Sequence, residues 1–373
     1  METESPREGI DLLMTTGPVE VSPRVLAALA QPTTYHYYPR FIELFDETTE
    51  MLAKVYGARG KEDVLILQGE AVLGLEASIA CTINPGEKVL ILENGPFGNS
   101  FGEYVTNAGG VPVYFRGENV RALEVEAVRS FLEQNRDAAA VTLVHCETPT
   151  GILNPVEQIC RRAKELGMLT IVDSVATLGG VPFSASGWGI DISISASQKC
   201  VGAPPALALL ALNEFAWERV AAKKKPVRNS YLSLLDWKES WLSSHRFPFT
   251  PFTNEIYALN AALGEILEEG LEECLRRHAD AGRQCRDGVR GLGLELWPVR
   301  VEECSPTVTA IRVPMGRTDT EIIEAIVKRH RILISGGFRD LRGKVLRVGT
   351  MGQQARQLYV SATLDALADV LKH

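Results

Sequence analysis

The stretch D-I-S-I-S-A-S-Q-K, residues 191–199, decides how this chain folds. From Asp191 to Ser197, apolar and small polar residues alternate with the period of a strand, and the run ends in small residues followed by Lys199. A second strand, L-T-I-V-D at 169–173, closes on Asp173. Two parallel strands deliver their last residues to the same edge of a sheet, so an acid and an amine converge there. Taken alone, the pair also reads as a solvated loop lysine and a helix-capping aspartate.

The surrounding pattern favours the convergent reading. Strand and helix patterns alternate from about residue 60 to 215. Strands are expected at 64–67, 88–92, 111–115, 138–144 and 169–172, and helices at 72–83, 97–108, 122–134 and 156–166. Near-continuous apolar strands alternating with helices indicate an α/β fold around a mostly parallel sheet. The run 207–212 would add one more strand, the antiparallel one. Residues 215–252 are irregular and aromatic, and a single long helix is expected over 255–292. A strand, a helix, two short strands and a last helix follow. The expected organisation is an N-terminal segment (1–20), a large α/β domain (21–254), and a connecting helix with a smaller α+β domain (255–373).

Composition narrows the function. A net charge of −8, with 23% charged and 45% apolar residues, leaves no basic footprint for nucleic acid or an anionic membrane. No apolar run approaches a membrane span. The opening M-E-T-E-S-P-R-E-G is acidic and polar, unlike a secretion signal or presequence. Seven cysteines (81, 146, 160, 200, 274, 285 and 304) form no CxxC and have irregular spacing. Free thiols in a reducing, cytoplasmic setting are expected, with no metal site.

An amine that can hold an aldehyde, beside a carboxylate that keeps a pyridine nitrogen protonated, is what pyridoxal chemistry requires. Further motifs accompany the pair: T-T-G-P-V at 15–19, N-G-P-F-G at 94–98, H-C-E-T-P-T-G at 145–151, V-D-S-V-A-T-L-G-G at 172–180, S-Q-K-C-V-G-A-P-P at 197–205 and G-K-V-L-R-V-G at 343–349. With these in order along nearly the whole chain, it resembles the class V, fold-type I aminotransferases of the alanine–glyoxylate branch. The resemblance implies a seven-stranded, mostly parallel sheet, a homodimer or homotetramer with shared sites, and amino transfer to a small 2-oxo acid such as pyruvate or glyoxylate.

It also implies residue roles. Lys199 would form the Schiff base and move the proton, and Asp173 would pair with the ring nitrogen. Phe97 would stack on one ring face, Val175 would pack on the other, and Thr148 would lie near the phenolic oxygen. Gly69, Glu70, Ala71, Gln198 and Thr250 would be further cofactor contacts. Arg347 would bind the substrate carboxylate, with Arg339, Tyr35 and Tyr37 as further substrate contacts. The plainer readings are Phe97 as core and Arg347 as a surface ion pair.

One turn departs from the branch pattern. The branch builds it from small residues that cradle the cofactor phosphate at a helix N-terminus. Here it reads L-Q-G-E-A-V-L-G-L-E-A, with Glu70 where phosphate would be received and little water expected to screen it. Either Glu70 turns away, or the ligand is unphosphorylated pyridoxal or pyridoxamine rather than pyridoxal 5′-phosphate. The chain is similar here to the pyridoxamine–pyruvate aminotransferases, which carry a glutamate in this turn. The likeness extends to Y-H-Y-Y-P-R-F at 35–41, L-S-L-L-D-W at 232–237 and F-P-F-T-P at 247–251. Those enzymes use two arginines for the pyruvate carboxylate. One matches Arg347, and the other falls on Phe338, next to Arg339. Glu70 also reads as an acidic residue that stabilises a helix N-terminus with no ligand. The alternatives are a conventional pyridoxal-phosphate alanine/serine–glyoxylate aminotransferase, a fold-type I lyase, and a non-catalytic B6 carrier.

Overall fold

Seven apolar segments pair into one sheet in the computed structural model, which describes residues 7–372. Of the acidic opening, residues 1–6 lie outside the described residues. Across the sheet the order is Val64–Gln68, Leu207–Leu212, Ile192–Ala196, Leu169–Asp173, Ala140–Val144, Lys88–Glu93, Val111–Arg116. Leu207–Leu212 runs antiparallel to both neighbours, and the other pairings are parallel.

Helices cover both faces, and the strand period sorts side chains between them. Along Lys88–Glu93, Val89 and Ile91 enter one core with Phe41, Ile79 and Leu259. Leu90 and Leu92 enter the other core with Val128, Leu132 and Ile159. Ile192–Ala196 is buried at every position, serines included. Those serines find partners at Ser174 on the neighbouring segment: the Ser193 hydroxyl lies 2.8 Å from the Ser174 hydroxyl, and the Ser195 hydroxyl donates to the Ser174 carbonyl at 3.4 Å. A buried polar group so paired avoids the penalty of an unmade bond.

The single long helix expected over 255–292 is two, Thr253–Glu269 and Leu271–Gly291. They part at Gly270, whose φ of +91° suits a residue without Cβ. The first helix sends Ile256, Leu259, Leu263 and Ile266 into the large core. The second sends Ala281, Cys285 and Val289 into a C-terminal core with Ile311, Leu346, Val348 and Leu367. Met14 belongs to that C-terminal core, and its strand Leu12–Met14 pairs in parallel with Ile332–Ile334. The T-T-G-P-V segment therefore leaves a strand of the C-terminal part and runs towards the large sheet. Among the described residues all seven cysteines are buried and unpaired, and no helix is long and apolar enough to cross a membrane.

Candidate active site

Leu169–Asp173 and Ile192–Ala196 lie side by side, with Asp173 opposite Ile194. Their C-terminal ends open onto a cavity of about 240 Å³ whose walls include Glu70, Ala71, Phe97, Thr148, Asp173, Val175, Lys199, Phe338 and Arg339. Residues far apart in sequence thus meet at the carboxyl edge of the sheet, where open α/β folds bind ligands.

Asp173 is 5% exposed. Burial pushes its carboxyl up to about 6, against the Val175 N–H (2.9 Å to Oδ1) and the Lys199 charge, which favour ionisation. Lys199 sends its ammonium to the Thr16 carbonyl at 2.6 Å. Burial first, then the Arg347 charge, lowers its proton affinity and favours a free, nucleophilic amine. Gly17 explains the T-T-G-P-V motif. Its φ is +104°, and a Cβ there would fall 2.5 Å from the Lys199 Nζ. Only glycine lets the segment pass over the lysine side chain.

Phe97 lies in the first turn of the helix Pro96–Asn107. The Glu147 carboxylate accepts from the Gly98 N–H (2.6 Å) and the Phe97 N–H (3.4 Å), fixing that turn. Glu147 is fully buried, and burial pushes it up to about 8. Glu147 stands in the H-C-E-T-P-T-G motif with no local sign of this role. Phe338, read only as a replaced arginine, lies nearly parallel to Phe97, with centroids 5.5 Å apart and 14° between planes. Phe97 thus lines the cavity rather than serving only as core.

Arg347 donates from Nε to the Gly336 carbonyl at 2.8 Å and from Nη1 to the Thr148 carbonyl at 3.5 Å. Burial pushes its guanidinium down to about 10. It has no carboxylate partner among the described residues, so the surface ion-pair reading does not hold. Arg347 does not itself line the cavity, though it reaches the carbonyl of Thr148, which does; a half-buried guanidinium without a counter-charge among the described residues has the chemistry to pair with a carboxylate. Arg347→Lys keeps the charge and loses the planar fork. The KM for the 2-oxo acid is expected to rise roughly tenfold or more, with B6 affinity unchanged. Steady-state kinetics beside B6 titration checks this, and the reverse pattern removes Arg347 from the carboxylate site.

Glu70 caps the helix Ala71–Thr82. Its Oε2 accepts from the Val72 N–H at 3.1 Å, and its Oε1 accepts from the Gln198 amide at 3.1 Å. The charged acceptor fixes the amide orientation and leaves the buried Gln198 Oε1 without a partner. The capping reading is therefore met, and Glu70 lines the cavity as well. The dry cup is not met: at its N-cap position Glu70 is exposed in the single chain. Gly69 adopts φ +145°, and a Cβ there would meet the Leu73 side chain at 2.7 Å.

Six residues carried over by resemblance are not in the wall of this cavity: Gly69, Gln198 and Arg347 adjoin residues that line it, and Tyr35, Tyr37 and Thr250 lie away from it within one chain. Tyr35 and Tyr37 are 68% and 39% exposed and group with His36 and Phe247, and Thr250 is exposed nearby. Arg339 does line the cavity, with its guanidinium carbon 5.6 Å from the Phe338 ring centre. Tyr104 and Ser100, absent from the sequence reading, line it too.

The class V aminotransferase family profile matches residues 24–348. The chain is a class V aminotransferase. It is 34% identical to a pyridoxamine–pyruvate transaminase of Mesorhizobium japonicum over 96% of this chain and 91% of that protein. It is 31% identical to a mouse alanine–glyoxylate aminotransferase over 97% and 88% of the two chains. The crystal structure of pyridoxamine–pyruvate aminotransferase from Mesorhizobium loti superposes with a TM-score of 0.94 at 33% identity, covering 97% of this chain and 92% of that one. Fold-type I α/β architecture and transaminase class follow.

Class V aminotransferases depend on pyridoxal phosphate. The residues here fit a B6 ring. This aminotransferase offers a buried acid with one carboxyl oxygen free of donors among the described residues, an amine of lowered proton affinity, an aromatic wall at Phe97 and the space cleared by Gly17.

Proposed function

We propose that this aminotransferase moves an amino group from unphosphorylated pyridoxamine to pyruvate, giving pyridoxal and L-alanine. The observation that carries this reading is the Glu70 carboxylate at the helix N-terminus that lines the cavity. There it repels a phosphate dianion and accepts a hydrogen bond from a neutral hydroxymethyl group. The name of the Mesorhizobium japonicum relative agrees.

A bound B6 ring supplies an electron sink for bond changes at the amino carbon. The chain's own groups do the rest. Lys199 would hold the aldehyde carbon and carry the proton, Asp173 would keep a proton on the ring nitrogen, and Phe97 and Val175 would confine the ring. Arg347 orients the oxo-acid carboxylate, with Arg339 at the mouth. Glu70's service as a helix cap favours a second reading, a conventional pyridoxal-phosphate alanine/serine–glyoxylate enzyme, since a cap needs no ligand.

Competitive titration of pyridoxal against pyridoxal phosphate separates the two. Wild type is expected to prefer pyridoxal, and Glu70→Ser to shift the ratio towards the phosphate by roughly tenfold as a like charge leaves and a donor appears. A wild-type preference for the phosphate that Glu70→Ser leaves unchanged would establish the conventional reading.

We also propose a homodimer in the cytoplasm. The exposed Tyr35, Tyr37 and Thr250, which lie away from the cavity of their own chain, would serve the site of a second copy, and seven buried unpaired thiols suit a reducing compartment. A single-chain mass by light scattering, or purification from an oxidising compartment, counts against the respective claim.

A further inference from the structure

The helix Pro96–Asn107 turns one stripe towards the cavity: Phe97, Ser100 and Tyr104, at i, i+3 and i+7. Two of these carry hydroxyls. Ser100 has spent its own on the Pro96 carbonyl at 2.9 Å. The Tyr104 hydroxyl has no hydrogen-bond partner among the described residues, and its residue is half-buried in the cavity wall. Across the cavity the helix Ala71–Thr82 contributes Ala71, Val72 and Leu75, all apolar, below Glu70. Of the side chains these two helices turn into the cavity, two polar ones remain usable, one carboxylate and one phenol, and they are close enough for the Glu70 charge to act on Tyr104.

Their chemistry is complementary. Each Glu70 oxygen already accepts one bond, from the Val72 N–H and the Gln198 amide. A carboxylate has about four acceptor sites, so room remains for a donor. Burial, with the charges of Asp173 and Glu70, raises the proton affinity of the Tyr104 phenol, so it stays protonated and donates. A ligand hydroxyl has one hydrogen to give and two lone pairs to receive with.

We propose that Tyr104 and Glu70 form a donor–acceptor pair that selects a B6 compound bearing a free 5′-hydroxymethyl group. This rests on the reading of Glu70 given above. The hydroxyl donates to Glu70 and accepts from Tyr104, which makes Tyr104 a specificity-determining residue. A phosphate at the same place finds a single neutral donor and an adjacent negative charge.

The test is equilibrium dialysis of pyridoxamine and 5-deoxypyridoxamine, without any oxo acid, against wild type and Tyr104→Phe. Neither amine can cyclise, and phenylalanine keeps the ring that packs against Phe101. Wild type is expected to bind pyridoxamine more tightly than the deoxy analogue. Tyr104→Phe is expected to lose about three- to tenfold in pyridoxamine affinity, the range of one neutral hydrogen bond, and nothing in affinity for the analogue. Equal losses for both ligands, or no loss for either, overturn the role of Tyr104. If wild type does not distinguish the two ligands, the reading of Glu70 falls and takes this proposal with it. If wild type distinguishes them and Tyr104→Phe does so equally well, only Tyr104 is excluded.

Discussion

Lys199→Ala is expected to abolish measurable amino transfer while the fold and the rest of the cavity stay in place. The lysine is the one amine among the cavity-lining residues, and it has two duties there. Its burial and the nearby Arg347 charge favour the neutral amine that attacks an aldehyde. The same amine then carries a proton at the amino carbon, a task worth roughly 10²–10⁴-fold in rate by itself. With both duties lost together, residual turnover at or below that level is expected. A second measurement is independent of rate. Borohydride reduction of wild type with pyridoxal, followed by peptide mass mapping, should place the pyridoxyl group on Lys199. Attachment at another lysine, such as one of the 223–225 run, or substantial turnover in Lys199→Ala, overturns the assignment. The substitution should be well tolerated structurally, because among the described residues the Lys199 ammonium donates only to the Thr16 carbonyl and forms no ion pair.

The parts of the site legible in the sequence are those that strand geometry places. Asp173 ends a strand and Lys199 follows the neighbouring one, so period and length alone bring them to one edge. The sheet was legible for the same reason: strands buried on both faces read as unbroken apolar runs, and the antiparallel strand 207–212 was picked out among them. Contacts between segments distant in sequence carry no such local signal. Nothing near residue 147 says that its carboxylate will cap the turn at 97–98, and nothing near 338 says that its ring will lie against Phe97. Gly17 was quoted within a motif, but its reason, clearance over Lys199, exists only in the fold. Tyr104 is different. Its i+7 spacing from Phe97 on an expected helix puts both on one face, a signal the sequence does carry. Gly270 was readable too, as a glycine inside a long helical pattern, and there the helix breaks. Tyr35, Tyr37 and Thr250 came from resemblance alone, and one chain does not bring them to its cavity.

Asp173→Ala should leave a protein that still binds pyridoxal yet turns it over at least ~10²-fold more slowly, the usual cost of losing one preorganised charge at a reacting group. The carboxylate's work is to hold a proton on the ring nitrogen, an interaction whose value grows as negative charge builds up on the ring. The loss should therefore fall on kcat more than on affinity. The site's own titration gives a second signature. In the free chain burial holds the Asp173 carboxyl near 6, with Oδ1 satisfied by the Val175 N–H and the other oxygen open to a donor. Below that pH the group is neutral and gives a protonated ring nothing to pair with. Above it the group is an anion and does. B6 affinity of wild type should therefore weaken as pH falls through about 6, and Asp173→Ala should lack that step. Near-normal kcat in the variant would reject the role outright. A lowered kcat with the acid step intact would mean that another group produces the step. Glu147 is a poor candidate for it, because burial pushes that carboxyl to about 8 and its oxygens are taken by the Phe97 and Gly98 N–H groups.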